Sequence, residues 1–183
     1  MTRAADTSAE AARIEALYRA KARAEVDAAE ALVPGAAVVR GQGDLLADVL
    51  LVKGEPGPGD TGKHRALAGD DGVAIGRALD ALGVSPARFA LCTRVGRPGT
   101  ARIERLRLMA EAIDPRTVVL LDGDAAEDFA RAFECPKPAY GAIVRVLGRD
   151  VVAVDGFEGS LADEKSKRRV WRQLKALGGG EHA

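Results

Sequence analysis

Aromatic side chains are scarce. Phe, Tyr and Trp together make up 4% of the 183 residues, so any core must be assembled mainly from Ala, Val and Leu. Cysteine is scarcer, with only Cys92 and Cys135. Two thiols exclude a disulfide scaffold and fit a reducing cytoplasm. They are also too few to hold a structural zinc or an iron–sulfur cluster without other ligands. There is no surplus charge of either sign, 27 basic residues standing against 27 acidic ones. No global field therefore draws the chain to nucleic acid, and only a local basic face would do so. No apolar run approaches the ~20 residues of a membrane-spanning helix. The alternately charged, Ala-rich start lacks the apolar segment of a signal peptide. These absences lead to the expectation of a cytoplasmic protein with no membrane partner.

What is present is ordinary for a folded domain: 47% of residues are hydrophobic, in a length that predicts one domain over residues 1–183. The chain is organised around Asp48–Gly83. The apolar run Val49–Val52, bounded by charge on both sides, reads as a buried parallel strand. A loop follows with glycines at 54, 57, 59 and 62 and prolines at 56 and 58. Then Val73, Ile75, Ala78, Leu79 and Leu82 mark one face of a helix that stops at Gly83. Strand, glycine-rich loop and helix is how an α/β sheet builds a ligand site at the carboxyl ends of its strands.

Residues 8–31 read as a helix capped by Ser8, with Ile14, Leu17 and Tyr18 as its packing face; residues 1–35 form an N-terminal helix docked on the domain. Ala36–Arg40 reads as an edge strand and residues 41–44 as a turn. Further strands are expected at Arg88–Thr93, Thr117–Leu121, Ala142–Leu147 and Val151–Val154, the last two joined by a hairpin-like turn. Helices are expected at 100–113, 125–133 and 163–177, with loops at 135–139 and 156–160 and a loose tail over 178–183. Cys92 reads as a small core residue, Trp171 as core, and Asp122 and Asp124 as caps of the helix that follows them. Alternating strands and helices predict an α/β fold with a mainly parallel sheet covered on both faces.

The glycine loop admits several readings. Gly57–His64 fits the phosphate-binding pattern G-x-x-x-x-G-K, in which backbone amides cradle phosphates and Lys63 neutralises them; His64 stands where the metal-binding hydroxyl belongs. This reading makes the chain a P-loop-like nucleotide-binding protein.

A second reading comes from motifs in order along the chain: Gly41-Gln42-Gly43-Asp44, then VLLV into Gly54-Glu55-Pro56-Gly57, then Leu67-Ala68-Gly69 before GVAIGRALDALG. FALCT, Arg97-Pro98-Gly99, PRTVVLL with Ala125-Ala126, and the helix Lys167–Leu177 around Trp171 complete the series. Over residues 12–177 this resembles the uracil-DNA glycosylase superfamily, especially its iron–sulfur branch. The resemblance implies a three-layer α/β/α sandwich with a four-stranded parallel core sheet, and a DNA partner, single-stranded or damaged. It implies a base or ligand pocket formed by Gly54, Gly57, Gly59, Asp60, Leu67, Cys92 and Phe157. Such enzymes flip the base, stack it and read its polar edge. Here Leu67 stands at the stacking aromatic and Cys92 at the edge-reading amide. Gly156 or Phe157 stands at the anion-stabilising histidine, and Gly96 at a cluster cysteine. The resemblance therefore implies no iron–sulfur cluster and weak or no uracil excision, since little differential transition-state binding remains. Glu55 is the surviving catalytic position, and His64 is the candidate electrophile near it. If active, the chain would be a DNA glycosylase.

Lys63, Arg65, Arg94 and Arg97 are the candidate phosphate contacts at the strand ends, and a second basic face runs along the last helix through Lys165, Lys167, Arg168, Arg169, Arg172 and Lys175. A third reading is a non-catalytic module that binds a protein partner on a retained fold.

Overall fold

The computed structural model describes residues 2–35 and 38–179. It is a mixed α/β protein built on one six-stranded sheet. The elements are α1 (Thr2–Ala31), β1 (Gln42–Gly43), β2 (Val49–Lys53), α2 (Pro58–Lys63), α3 (Asp70–Ala81), β3 (Arg88–Cys92) and α4 (Thr100–Ile113). They continue with β4 (Thr117–Leu120), α5 (Gly123–Ala132), β5 (Ile143–Val146), β6 (Arg149–Ala153), α6 (Phe157–Ser160) and α7 (Glu164–Leu174), ending in a 3₁₀ turn over Lys175–Gly179.

The sheet order is β1-β3-β2-β4-β6-β5. β2 lies between β3 and β4 and pairs parallel with both, and β4 pairs parallel with β6. β1 and β5 pair antiparallel at the two edges. Because successive strand residues point to opposite faces, β2 feeds two cores. Leu50 and Val52 join Phe89, Leu91, Val118 and Leu120 under α1, α4 and α5. Val49 and Leu51 join Cys92, Val119 and Val152 under α3, α6 and α7, where Ile75, Leu79, Phe157, Val170 and Leu174 close the layer. With so few aromatics, the one ring pair among the described residues is Phe129 with Phe133, 4.4 Å between centroids.

Several expectations change. α1 begins at Thr2, so Ser8 lies inside it rather than capping it. Ile14, Leu17 and Tyr18 are exposed; the helix buries Ala22, Val26 and Ala29 one to four turns later, because its first half extends past the body it packs on. Gln42-Gly43 is an edge strand on β3 rather than only a turn. Of the expected strand at 36–40, Ala36 and Ala37 lie outside the described residues, and Arg40 bridges Arg65. Residues 156–160 hold the short helix α6 rather than a loop. In the tail, residues 180–183 (with His182) lie outside the described residues. Trp171 is half-buried rather than core. The β5–β6 hairpin turns through Leu147 and Gly148, both at positive φ (47° and 83°), the geometry that matches the twist of paired strands. Among the described residues no helix is long and apolar enough to cross a membrane.

Candidate functional site: an acidic cleft over a buried lysine

β2 ends on a charge. Lys53 is the last strand residue and is buried on all sides. An ammonium out of water is tolerated only when it is paired and fully hydrogen-bonded. Its Nζ lies 2.9 Å from Asp60 Oδ2, 2.6 Å from Asp71 Oδ2 and 2.8 Å from Glu158 Oε2. An ammonium has three protons to donate, and three carboxylates face it. Burial works to lower the Lys53 pKa, but the hydrogen bonds from Asp71, Glu158 and Asp60 prevail and hold it above the ordinary lysine range.

The three partners come from three segments. Asp60, in α2, is fully buried. Its Oδ2 also accepts from the Gly57 amide, and its Oδ1 accepts from the Ala68 amide, both at 2.9 Å. It therefore ties the two ends of the glycine loop to Lys53. Burial raises its pKa, yet the donors around it hold it below the ordinary value. Asp71 lies in the first turn of α3, where the helix dipole favours a carboxylate. Glu158 comes from α6 and keeps nearly half its side-chain surface in solvent. A Cβ at Gly57 would meet the Glu158 carboxylate and come 2.9 Å from Lys53 Nζ, so a side chain there would have to push the Glu158 carboxylate aside.

Above this cluster opens a cleft of about 220 Å³, at the carboxyl ends of β2, β4 and β6. Lys53, Asp71 and Glu158 form its floor. Glu55, Asp122 and Asp124 supply more carboxylates, and Leu121 and Phe157 supply apolar wall beside Gly156 and Gly159. Asp122 has structural work as well. Its Oδ1 accepts from the Ala125 amide at 2.7 Å, capping α5, and its Oδ2 accepts from the Gly54 amide at 2.9 Å, joining the ends of β4 and β2. Five carboxylates against one engaged ammonium leave a cleft whose ionisable side chains accept hydrogen bonds.

The structure separates the sequence candidates. Glu55 and Phe157 line the cleft, Glu55 exposed and Phe157 largely buried. Gly54, Gly57 and Asp60 build its frame through backbone and carboxylate contacts. Gly59 packs against Gly69, where a Cβ would come 2.6 Å from the Gly69 Cα. Leu67 and Cys92 are buried in the core on the α3 side and do not line the cleft. Burial, then the charge of Asp60, pushes the Cys92 thiol far up, so it stays protonated and is no nucleophile. His64 ends α2 in the left-handed region, exposed and away from the cleft lining.

The phosphate-loop pattern takes another shape. Pro58–Lys63 is a six-residue helix; within the pattern the Gly57 amide donates to Asp60 Oδ2, and the Asp60 and Thr61 amides donate to the Gly57 carbonyl. Lys63 Nζ donates to the Ala68 carbonyl at 2.9 Å. Nor do the loop cations form one tract. Arg94 is held by Asp124 at 2.9 Å and Asp128 at 3.3 Å. Arg65 borders a groove with α1, and Arg97 lines a separate one beside Pro34. Among the described residues, no three His, Cys, Asp or Glu side chains are placed to hold a metal ion.

Lys53, Asp71 and Glu158 were not singled out from the sequence. One signal for Lys53 was there: a lysine continuing an apolar strand without a break, followed by acidic residues in the next loop. Glu158 offered none, because only the fold brings α6 over β2. No protein-family model matches the chain, and no curated protein matches it.

Proposed function

We propose that this chain is a divergent member of the uracil-DNA glycosylase superfamily that binds a nucleobase in the acidic cleft, with weak or no excision of uracil. In this reading the fold is the three-layer α/β/α sandwich of that superfamily, with β3-β2-β4-β6 as its parallel core. The ordered motifs support it, as does the position of Glu55 at the mouth of a cleft at the strand ends.

The observation that carries the proposal is the lining. A volume of about 220 Å³ is below that of drug-sized sites and suits one small planar group. Phe157 and Leu121 offer it apolar surface. Its ionisable side chains present acceptors, because the protons of Lys53 are engaged by Asp60, Asp71 and Glu158. Carboxylates accept from an exocyclic amine such as cytosine N4, whereas a carbonyl-rich edge like that of uracil meets like partners. The ligand favoured is an amino-bearing base, and the same lining disfavours the anion that uracil becomes on leaving.

Titration calorimetry with free cytosine, adenine and uracil tests this, alongside excision assays on oligonucleotides carrying uracil or hypoxanthine. Cytosine or adenine should bind about tenfold or more tighter than uracil, as for one good hydrogen-bonded contact, and Glu55→Ala should weaken it. Preferred binding of uracil, or uracil excision abolished by Glu55→Ala, would overturn the amine-reading assignment.

A further inference from the structure

The outer face of α7 carries a second candidate site, apart from the cleft. A groove of about 690 Å³ runs there, lined by Asp163, Glu164, Lys165, Arg168, Trp171 and Arg172. Lys165, Arg168, Arg172 and Lys175 recur at i, i+3, i+7 and i+10, which places them along one side of the helix over roughly 15 Å. All four are exposed. Their neighbours are already matched: Lys167 pairs with Glu164 at 2.9 Å, Arg169 with Asp155 at 3.1 Å, and Asp163 accepts from the Ser166 amide at 2.8 Å. Among the described residues the four stripe cations have no carboxylate partner. Trp171, half-buried, contributes to the groove between Arg168 and Arg172.

Like charges aligned without partners repel one another and gain most from a polyanion that displaces their counterions. The apolar residues of the helix, Val170 and Leu174, are buried in the core, so no apolar face remains for insertion into a lipid surface. A single aromatic beside a basic stripe is the arrangement that stacks an unpaired base while cations follow the backbone. A duplex hides its base faces, so Trp171 would gain nothing from it.

We propose that the outer face of α7 binds single-stranded nucleic acid, with Lys165, Arg168, Arg172 and Lys175 on phosphates and Trp171 stacked on one base. The assignment does not depend on whether the cleft takes a base.

Trp171 is the only tryptophan in the chain, so its fluorescence reports this face and no other. The full chain is titrated with a labelled thymidylate dodecamer, following anisotropy and tryptophan emission together at low and moderate salt. Binding should quench the emission and weaken steeply with salt. Arg168→Ala with Arg172→Ala should lower the log–log salt slope by about 1.4, two single-strand phosphate contacts. Trp171→Ala should weaken binding about fivefold or more, with anisotropy as the readout. Both arginines are exposed, and circular dichroism checks that the fold is kept. Binding without quenching, or binding indifferent to the double substitution, overturns the proposal. So does equal affinity for the matching duplex, or binding only to phosphatidylserine vesicles. The cleft is read by calorimetry with free bases and this face by its tryptophan, so failure of one is distinct from failure of the other.

Discussion

Lys53 and Arg105 are both cations with almost no contact with water, and both sit where the carboxyl end of a strand meets its surroundings. Arg105 is fully buried in α4. It forks onto Glu30 of α1, Nη2 to Oε1 at 2.9 Å and Nε to Oε2 at 3.1 Å, and donates from Nη1 to the Cys92 carbonyl at 2.8 Å. Glu30 also faces Arg40, whose Nη1 lies 3.0 Å from Oε2, so two guanidiniums share one carboxylate, with Arg105 in the planar fork geometry that suits both. Lys53 instead meets three carboxylates, one of them open to solvent, below a cleft that carries more. The difference separates a joint from a site. The arginine-rich cluster, with no anion to spare, fixes α1 and α4 to β3. The unbalanced cluster holds surplus negative charge at low dielectric, which a ligand bringing hydrogen-bond donors or positive charge relieves.

Removing each cation is the most forceful way to break the comparison. Lys53→Met leaves Asp60 and Asp71 buried without their cation, whereas Arg105→Met leaves Glu30 with Arg40 alone. Lys53→Met should cost about 3–5 kcal/mol in urea unfolding, as for a stranded partner of a buried pair, and Arg105→Met less, since Arg40 still faces Glu30. They should part in ligand binding. In the variant that still folds, losing Arg105 leaves cleft affinity near its original value, and losing Lys53 changes it. Equal effects on the cleft would mean that both clusters are joints.

Acid titration should reach both clusters. Burial works to raise the Glu30 carboxyl, but the Arg105 hydrogen bonds and charge, the Gly41 amide and Arg40 leave it below its ordinary 4.5. Asp60 likewise lies below its ordinary 3.8. Groups with depressed folded values stabilise fully above their unfolded values and lose that contribution as pH falls through the folded ones. Stability should therefore fall below about pH 4. Lys53 has the opposite sign: its raised value stabilises fully below the ordinary 10.5, so its share is lost only in strong alkali. A urea midpoint that holds steady down through the carboxylate range would contradict the assignment of both ion clusters.

Glu158→Gln gives the smallest effect and the finest discrimination. Nearly half of this side chain is in solvent, so the loss should be at most about 1 kcal/mol in thermal unfolding. A loss as large as that of Lys53→Met would make the third carboxylate structural and remove the asymmetry.

The sequence announced the strands because their burial is written in local apolar runs: Val49–Val52, Phe89–Cys92 and Thr117–Leu120 lie where expected. It also announced Asp122, whose capping role depends only on the residues that follow it. It misled at Ile14, Leu17 and Tyr18, since helical spacing identifies an apolar face but not whether anything lies against it. At the site it yielded Glu55, Asp60 and Phe157, with Gly54 and Gly57 of the frame. Lys53, Asp71 and Glu158 stayed hidden because their meaning lies in contacts between segments far apart in the chain. The G-x-x-x-x-G-K spacing shows a local pattern taken up by the fold, since the Gly57 amide at its start donates to the buried Asp60.

The strand order has a consequence for synthesis. β2, the middle of the sheet, is made before both of its neighbours, β3 and β4. Its apolar residues leave the ribosome with no strand to join until residue 92 has been added, and their second flank stays open until residue 120. At about 5–20 residues per second that interval lasts several seconds, during which the future centre of the protein is its stickiest exposed segment. Nascent chains halted before Thr117 should accordingly remain open to protease and bound by chaperones, and chains that have passed Ala153 should not.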